Sequence, residues 1–236
     1  MLESASHLRL SLVCARGSPV ADMLAHSPLP LTIDHFDKDQ DITAEDEEGI
    51  TLALQHRDRV HRIRLRKSVS ISQRVVSALD GEFPIMEYLL IEAQRFHWPF
   101  VEGTMILPKT FRAPRLRHLL LMSFDFAIYS PLLTTTANLV TLSLYSILSS
   151  AYFDPNALLQ RVSLMPQLEI LEIFFIENLK FPRHNIERQL LGTSTTRVTL
   201  PNLRCLGFKG AFTWKRFFVK LWSLSSRSSK SASPSS

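Results

Sequence analysis

Glycine and cysteine are scarce in this 236-residue chain, and each shortage excludes a class of site. Seven glycines leave little material for phosphate-binding loops, and the sequence has no Gly-x-Gly-x-x-Gly turn, Walker loop or Gly-x-Ser-x-Gly elbow. Two cysteines, Cys14 and Cys205, lie far apart and have no Cys or His partner at zinc-site spacing. We therefore predict no disulfide framework, and a reducing cytoplasmic or nuclear setting.

Long hydrophobic runs are also absent. Runs such as residues 119–122 are far shorter than the stretch of about 18 residues that spans a bilayer. The first residues alternate apolar side chains with Arg9 and Ser11, whereas a signal peptide has a continuous apolar centre. We expect no membrane partner and no secretion.

Histidine and acidic residues lack the spacing that catalysis or metal binding requires. None of the eight histidines forms a His-Glu-x-x-His motif. Asp-x-Asp-x-Asp at 37–41, with Glu45 and Glu48, imitates a calcium loop, but Ile42 stands where that loop needs glycine. We predict a solvated acidic loop, no metal or other cofactor, and no enzymatic activity. An enzyme whose polar groups converge only on folding is the alternative.

A phrase of the form Pro-x-Leu-x-x-Leu-x-Leu recurs along the chain. Each copy ends in alternating apolar residues, which is the period-two pattern of a short strand with one buried face. Successive copies begin 23 to 35 residues apart, the size of one strand-plus-helix unit. The copies are residues 84–91, 114–121, 137–144 (with Ala137 for the proline), 166–173 and 201–208, and a sixth at 60–65 lacks the proline.

Helix signals lie between these strands. Thr43 followed by Asp46 predicts a capping box and a helix through Gln55, although Gly49 weakens its middle. Asp154 before Pro155 predicts another helix start. Shorter helical segments are predicted after Ser18-Pro19 and over residues 72–79, and an extra strand is predicted over residues 31–36.

These units predict an α/β leucine-rich-repeat solenoid of about six or seven repeats, because one unit cannot bury its own apolar face whereas stacked neighbours can. In this horseshoe, parallel strands line the concave face, and helices or irregular turns cover the convex face. The predicted domain covers residues 1–216. Residues 217–236 contain nine serines and are predicted to be a basic, disordered tail. An ordinary α/β domain with recurring leucines is the alternative.

Several further segments carry a family resemblance: residues 7–13, Arg16-Gly-Ser-Pro-Val, Ser27-Pro-Leu-Pro-Leu, and residues 45–50 and 54–65. With the repeats, they resemble the F-box-like proteins of mushroom-forming fungi over about residues 7 to 214. Such proteins usually join an F-box, which docks to a cullin-type ubiquitin-ligase adaptor, to repeats that hold a substrate. We expect this chain to lack the F-box and to be truncated at both ends. The resemblance implies substrate-recognition repeats that reach a ligase adaptor only in a longer form.

Side chains that alternate with the buried leucines should point out from the concave face. We predict that they bind a protein partner, since aromatic residues and methionine are favoured in interface cores. The alternative is that these side chains are ordinary surface residues or are covered by loops. The predicted partner-binding residues are Arg62, Arg64, Arg66, Tyr88, Leu90, Glu92, His118, Leu120, Met122, Thr141, Ser143, Tyr145, Ile170, Glu172 and Phe174.

The net charge of +5 is unevenly distributed along the chain. The basic cluster over residues 57–67 could hold an acidic peptide, a phosphate or a nucleic-acid backbone. We favour pairing of its arginines with the acidic segment 37–48, which is close in sequence. Binding of nucleic acid or an anionic surface by this cluster and the basic tail is therefore the second functional hypothesis, and nucleic acid is not the expected partner.

Overall fold

The computed structural model describes residues 11–36, 43–94, 105–125, 131–147, 155–175 and 200–209. Ten strands lie in these ranges: β1 Leu12–Cys14, β2 Leu31–His35, β3 Val60–Ser68, β4 Tyr88–Gln94, β5 Met105–Ile106, β6 His118–Met122, β7 Phe124–Asp125, β8 Thr141–Ile147, β9 Ile170–Phe175 and β10 Cys205–Lys209. Five helices accompany them: α1 Val20–His26, α2 Ala44–Gln55, α3 Val69–Ser77, α4 Pro131–Thr135 and α5 Pro155–Val162. Within the described ranges, no helix has the length and apolar character needed to cross a membrane.

Eight of the strands form one sheet, in the order β1-β2-β3-β4-β6-β8-β9-β10, and every neighbouring pair is parallel. The spatial order therefore follows the chain without reversal. The prediction of an α/β fold with a parallel sheet is confirmed. The remaining strands, β5 and β7, make a small parallel pair that the sequence did not predict.

Buried apolar columns run across the sheet, because the parallel register aligns equivalent residues of successive strands. Ile33, Ile63, Leu89, Leu119, Leu142 and Leu171 form one column, and Leu65, Ile91, Leu121, Leu144 and Ile173 form the next. Each of these side chains is at most 3% exposed. The helices contribute to the same core, for example Ile50 of α2, Val76 of α3, Leu133 of α4 and Leu158 of α5.

The proline of the recurring phrase lies in a turn that precedes the strand. In all five eight-residue copies, including the one that begins with Ala137, the N–H of the third phrase residue donates to the carbonyl three residues earlier, as from Met86 to Phe83 at 3.3 Å and from Leu116 to Ala113 at 3.0 Å. Proline suits the second position of such a turn because its ring fixes φ. The turn then directs Met86 and Leu116 into the core, where both are 0% exposed.

The predicted helices and the extra strand are present, with some changed boundaries. Thr43 caps α2 in a full capping box with Asp46, as predicted. Helix α1 begins after Pro19, where no side chain supplies a cap. The predicted start of α3 at Ser72 is wrong, because the helix follows β3 directly at Val69. Residues 37–42 of the calcium-like loop, the tail and the Asp154 cap lie outside the described residues, whereas Glu45 and Glu48 lie in α2.

Replacing Gly81 by alanine should lower the free energy of unfolding by about 1 kcal/mol, because Gly81 has a φ of +86°. A Cβ there would also meet the Arg57 guanidinium, whose flexible end can move aside. Urea denaturation measures the change. Gly17→Ala is the matched control, since its φ is +66° with no atom within 4 Å of the added Cβ. A loss at Gly81 much larger than at Gly17 would mean that Arg57 is rigidly held.

Candidate functional site

The candidate site is the face of the main sheet opposite the buried columns, which we call the outer face. Alternate residues of the strands form three columns there. All fifteen partner-binding residues predicted from the sequence lie on it: Arg62, Tyr88, His118, Thr141 and Ile170 in the first column; Arg64, Leu90, Leu120, Ser143 and Glu172 in the second; and Arg66, Glu92, Met122 and Tyr145 in the third, where Phe174 contacts Tyr145 across an irregularity in the register.

Ion pairs occupy the β2–β4 end of the outer face. Arg64 Nη1 lies 2.9 Å from Asp34 Oδ2, and Arg66 Nε lies 3.2 Å from Glu92 Oε1. The sheet register produces both pairs, since Asp34 aligns with Arg64 and Arg66 with Glu92. Both guanidinium groups also lie over the ring of Phe36, at 5.0 and 5.7 Å from its centroid.

The pairs that Arg64 and Arg66 form among the described residues are with Asp34 and Glu92, outside the acidic segment 37–48 with which pairing was expected. Neighbouring strands supply the acids of these two pairs, because side chains in register across a parallel sheet lie close together. In the described part of that segment, Glu47 instead approaches Arg74, with Oε1 3.7 Å from Nη1. Residues 37–42 lie outside the described residues.

Arg62 differs from its two neighbours in stacking on an aromatic ring. Its guanidinium carbon lies 4.0 Å from the centroid of the Tyr88 ring, a cation–π contact. Tyr88 in turn contacts His118, with ring centroids 5.7 Å apart, and His118 Nδ1 lies 3.1 Å from Thr141 Oγ1. Burial, and then the charges of Arg117 and Arg62, lower the pKa of His118, which favours the neutral form of its imidazole.

The middle of the outer face is aliphatic. Leu90 and Leu120 are in register on adjacent strands, and Met122 lies in the third column, next to Leu120. All three side chains are half-buried. They form a small apolar patch between the ion pairs on one side and hydroxyl and aromatic groups on the other, an arrangement typical of the core of a protein interface.

An acidic and aromatic cluster occupies the β8–β9 end. Glu172 Oε2 accepts hydrogen bonds from Ser143 Oγ at 2.7 Å and Tyr145 Oη at 2.5 Å. The Tyr145 ring meets Phe174 edge to face, with centroids 4.9 Å apart. Burial, with the hydrogen bond to Glu172 and the charge of that carboxylate, raises the pKa of Tyr145 to about 12. Tyr145 is therefore a hydrogen-bond donor at any physiological pH.

Two of the predicted partner-binding residues lie beneath their neighbours. Thr141 is 9% exposed and Ser143 is 1% exposed. Both have small side chains beside much larger ones, which cover them. Thr141 supports His118 and Ser143 holds Glu172, so their contribution to the site is the positioning of larger groups.

Sequence reasoning missed members of the outer face on the outer strands of the sheet. Thr32 and Asp34 of β2 continue the first two columns, and Gly207 of β10 continues the second. The alternation in residues 31–36 could have identified the first two. The side chains of Glu172 and Phe174 approach the backbone of Gly207 closely, since a Cβ at Gly207 would lie 3.1 Å from Glu172 Cγ and 3.2 Å from the Phe174 ring.

In the part of the chain that the structure describes, no group of three or more His, Cys, Asp or Glu side chains is placed to hold a metal ion. The contacts described on the outer face are apolar contacts, hydrogen bonds, ring contacts and ion pairs. Comparison of the chain with protein-family models, curated proteins and solved structures found no match.

Proposed function

We propose that this protein is a leucine-rich-repeat interaction module that binds a protein partner through the outer face. The proposal includes the resemblance to the substrate-recognition repeats of F-box-type ubiquitin-ligase adaptors. The observation that carries it is the half-buried aliphatic patch of Leu90, Leu120 and Met122 at the centre of the face. Charged, hydroxyl and aromatic side chains surround that patch, and this pattern favours a protein surface as the ligand.

The sheet topology supports the solenoid within this proposal. In a doubly wound α/β domain the strand order reverses at a switch point, where ligands bind. Here the order follows the chain across eight strands, and the buried columns continue from strand to strand, as stacked repeats require. The outer face would then be the concave surface on which repeat proteins hold their partners.

Binding of nucleic acid or an anionic surface is the second candidate. Phosphate binding depends on cations that are free to replace counterions. Arg64 and Arg66 each contact a carboxylate of the same sheet, which reduces the charge that they offer. The apolar patch beside them would have no role on a phosphate backbone, so we favour the protein partner.

Affinity capture with a double variant, Leu90→Thr with Leu120→Thr, tests the proposal. Threonine keeps a good strand former at both positions and removes the apolar groups. Loss of about 1.5 kcal/mol per side chain should reduce capture of a true partner by about 100-fold. The measurement is quantitative mass spectrometry of proteins recovered by the full chain and by the variant.

The matched control carries Ile106→Thr with Leu164→Thr. Each of these side chains is 56% exposed, and neither belongs to the outer face. Capture by this control should equal that by the unaltered chain. Equal capture by both double variants would contradict the proposal. Nuclease-sensitive recovery that falls steeply with salt would support the second candidate, and recovery of ligase subunits would support the link to ubiquitination.

A further inference from the structure

A cavity of about 380 Å³ opens at the N-terminal ends of β2, β3 and β4. It adjoins the first column of the outer face, to which Arg62 belongs. The side chains that give it chemical character are Pro30, His61, Arg62, Ile85, Glu87 and Arg115. Its volume is in the range of ligand-binding pockets, about 300 to 1,000 Å³.

Two arginines line this cavity without a carboxylate partner among the described residues. Arg62 has its guanidinium over the Tyr88 ring, a contact that fixes the plane and leaves the N–H groups at its rim free to donate. Arg115 is exposed and forms no ion pair within the described ranges. This differs from Arg64 and Arg66, whose carboxylate contacts lie on adjacent strands.

His61 supplies an unsatisfied donor or acceptor at the same place. Its Nε2 is buried and has no hydrogen-bond partner among the described residues. Glu87 Oε2 lies 3.4 Å from that atom, which is an ion-pair distance, but the contact does not meet hydrogen-bond geometry. A buried polar atom in this state costs free energy, and because Nε2 is not accessible to solvent, a ligand oxygen would relieve that cost only after rotation of the His61 ring.

We infer that this cavity binds the carboxylate of an acidic side chain on the protein partner; the inference rests on the proposed function and names the chemistry of one contact. Two guanidinium groups and the single carboxylate of Glu87 leave one net positive charge, which a carboxylate balances. A phosphate dianion would exceed that charge and approach Glu87. Pro30 and Ile85 provide apolar walls for the methylene groups of the incoming side chain.

The probe is the peptide acetyl-Leu-Glu-Leu-amide, titrated into the full chain and followed by NMR of the arginine Nε–Hε groups. Arg62 and Arg115 signals should shift together as the peptide binds. The glutamine counterpart, acetyl-Leu-Gln-Leu-amide, should bind at least about tenfold more weakly, since it loses charge-assisted hydrogen bonds. Inorganic phosphate is the competing probe and should bind more weakly than the glutamate peptide.

Arg62→Gln and Arg115→Gln should each weaken binding of the glutamate peptide by about tenfold or more. Arg112→Gln is the matched control, because Arg112 is exposed and lies outside the cavity lining while its loss removes the same charge. Arg62→Lys keeps the charge without the planar group and should restore only part of the affinity.

Equal binding of the glutamate and glutamine peptides, tighter binding of phosphate, or an equal effect of Arg112→Gln would each overturn the inference. These results can be separated from failure of the proposed function. If capture of a partner depends on Leu90 and Leu120 while the glutamate peptide does not bind, the cavity inference fails and the proposed function stands.

Discussion

Replacement of Leu119 by alanine should lower the free energy of unfolding by about 3 kcal/mol, whereas the same change at Leu120 should cost about 1 kcal/mol. Leu119 is 0% exposed in the centre of a buried column, so its removal leaves a cavity between β4 and β8. Leu120 points to the outer face and is half-buried, so water can fill the space. Urea denaturation at pH 7 measures both changes.

This adjacent pair is its own control, because residue type, strand and neighbouring sequence are shared. Leu121→Ala, at a side chain 1% exposed, should resemble Leu119→Ala. A large loss at Leu120 with a small one at Leu119 would mean that the faces of β6 are exchanged. In that case the outer face, and both proposals that depend on it, would be wrong.

The sequence predicted the core and the orientation of the strands because both depend on local alternation. One residue of slip in a strand exchanges its two faces. The apolar positions at 89 and 91, 119 and 121, 142 and 144, and 171 and 173 leave one arrangement that buries them all. The capping box at Thr43 was equally predictable, since both partners of its hydrogen bonds lie within four residues of each other.

Contacts between side chains of neighbouring strands could not be predicted from the sequence, because they depend on the register of strands that are separated by segments of variable length. Arg64 donates a hydrogen bond to Asp34, thirty residues away. The sequence had instead suggested pairing with the acidic segment 37–48, which is closer to Arg64 along the chain. The burial of Ser143 likewise depends on Glu172, a neighbour on the next strand. Alternation alone assigned Ser143 to the correct face but could not reveal that a larger side chain covers it.

The cavity beside the outer face could not be predicted from the sequence either. Arg62 was predicted as one of three similar arginines, and its sequence neighbourhood does not distinguish it from Arg64 or Arg66. Its place in the first column, where β4 offers Tyr88 and not a carboxylate, is what leaves it free for a ligand. Arg115 belongs to a turn, and the alternation of the strands carries no information about it.

Replacement of Asp46 by asparagine should lower the free energy of unfolding at pH 7 by about 2 kcal/mol and reduce its dependence on acidic pH. The Asp46 carboxylate accepts hydrogen bonds from Gly17 N–H at 2.9 Å, Thr43 N–H at 3.0 Å and Thr43 Oγ1 at 2.9 Å. Asparagine would present an amide donor where one of these acceptor oxygens stood, leaving a buried N–H without a partner. Urea denaturation between pH 2.5 and pH 7 (about the range in which carboxylates titrate) is the measurement.

The direction of the pH effect follows from opposing influences on the pKa of Asp46. Burial raises that pKa, but the hydrogen bonds from Gly17 and Thr43 and the charge of His35 outweigh it, so the pKa is lowered on folding. The unfolded chain then binds the proton more readily than the folded one. The stabilisation is complete above the unfolded pKa of about 4 and is lost as pH falls through the folded value.

The matched control for this prediction is Glu48→Gln, which removes one negative charge from the exposed side of the same helix. It should change stability by less than about 0.5 kcal/mol and leave the pH profile nearly as it was. If Glu48→Gln altered the acid profile as much as Asp46→Asn, the net charge of α2 would govern it. The link from Asp46 to Gly17, which ties the start of α2 to the turn after β1, would then contribute little to stability.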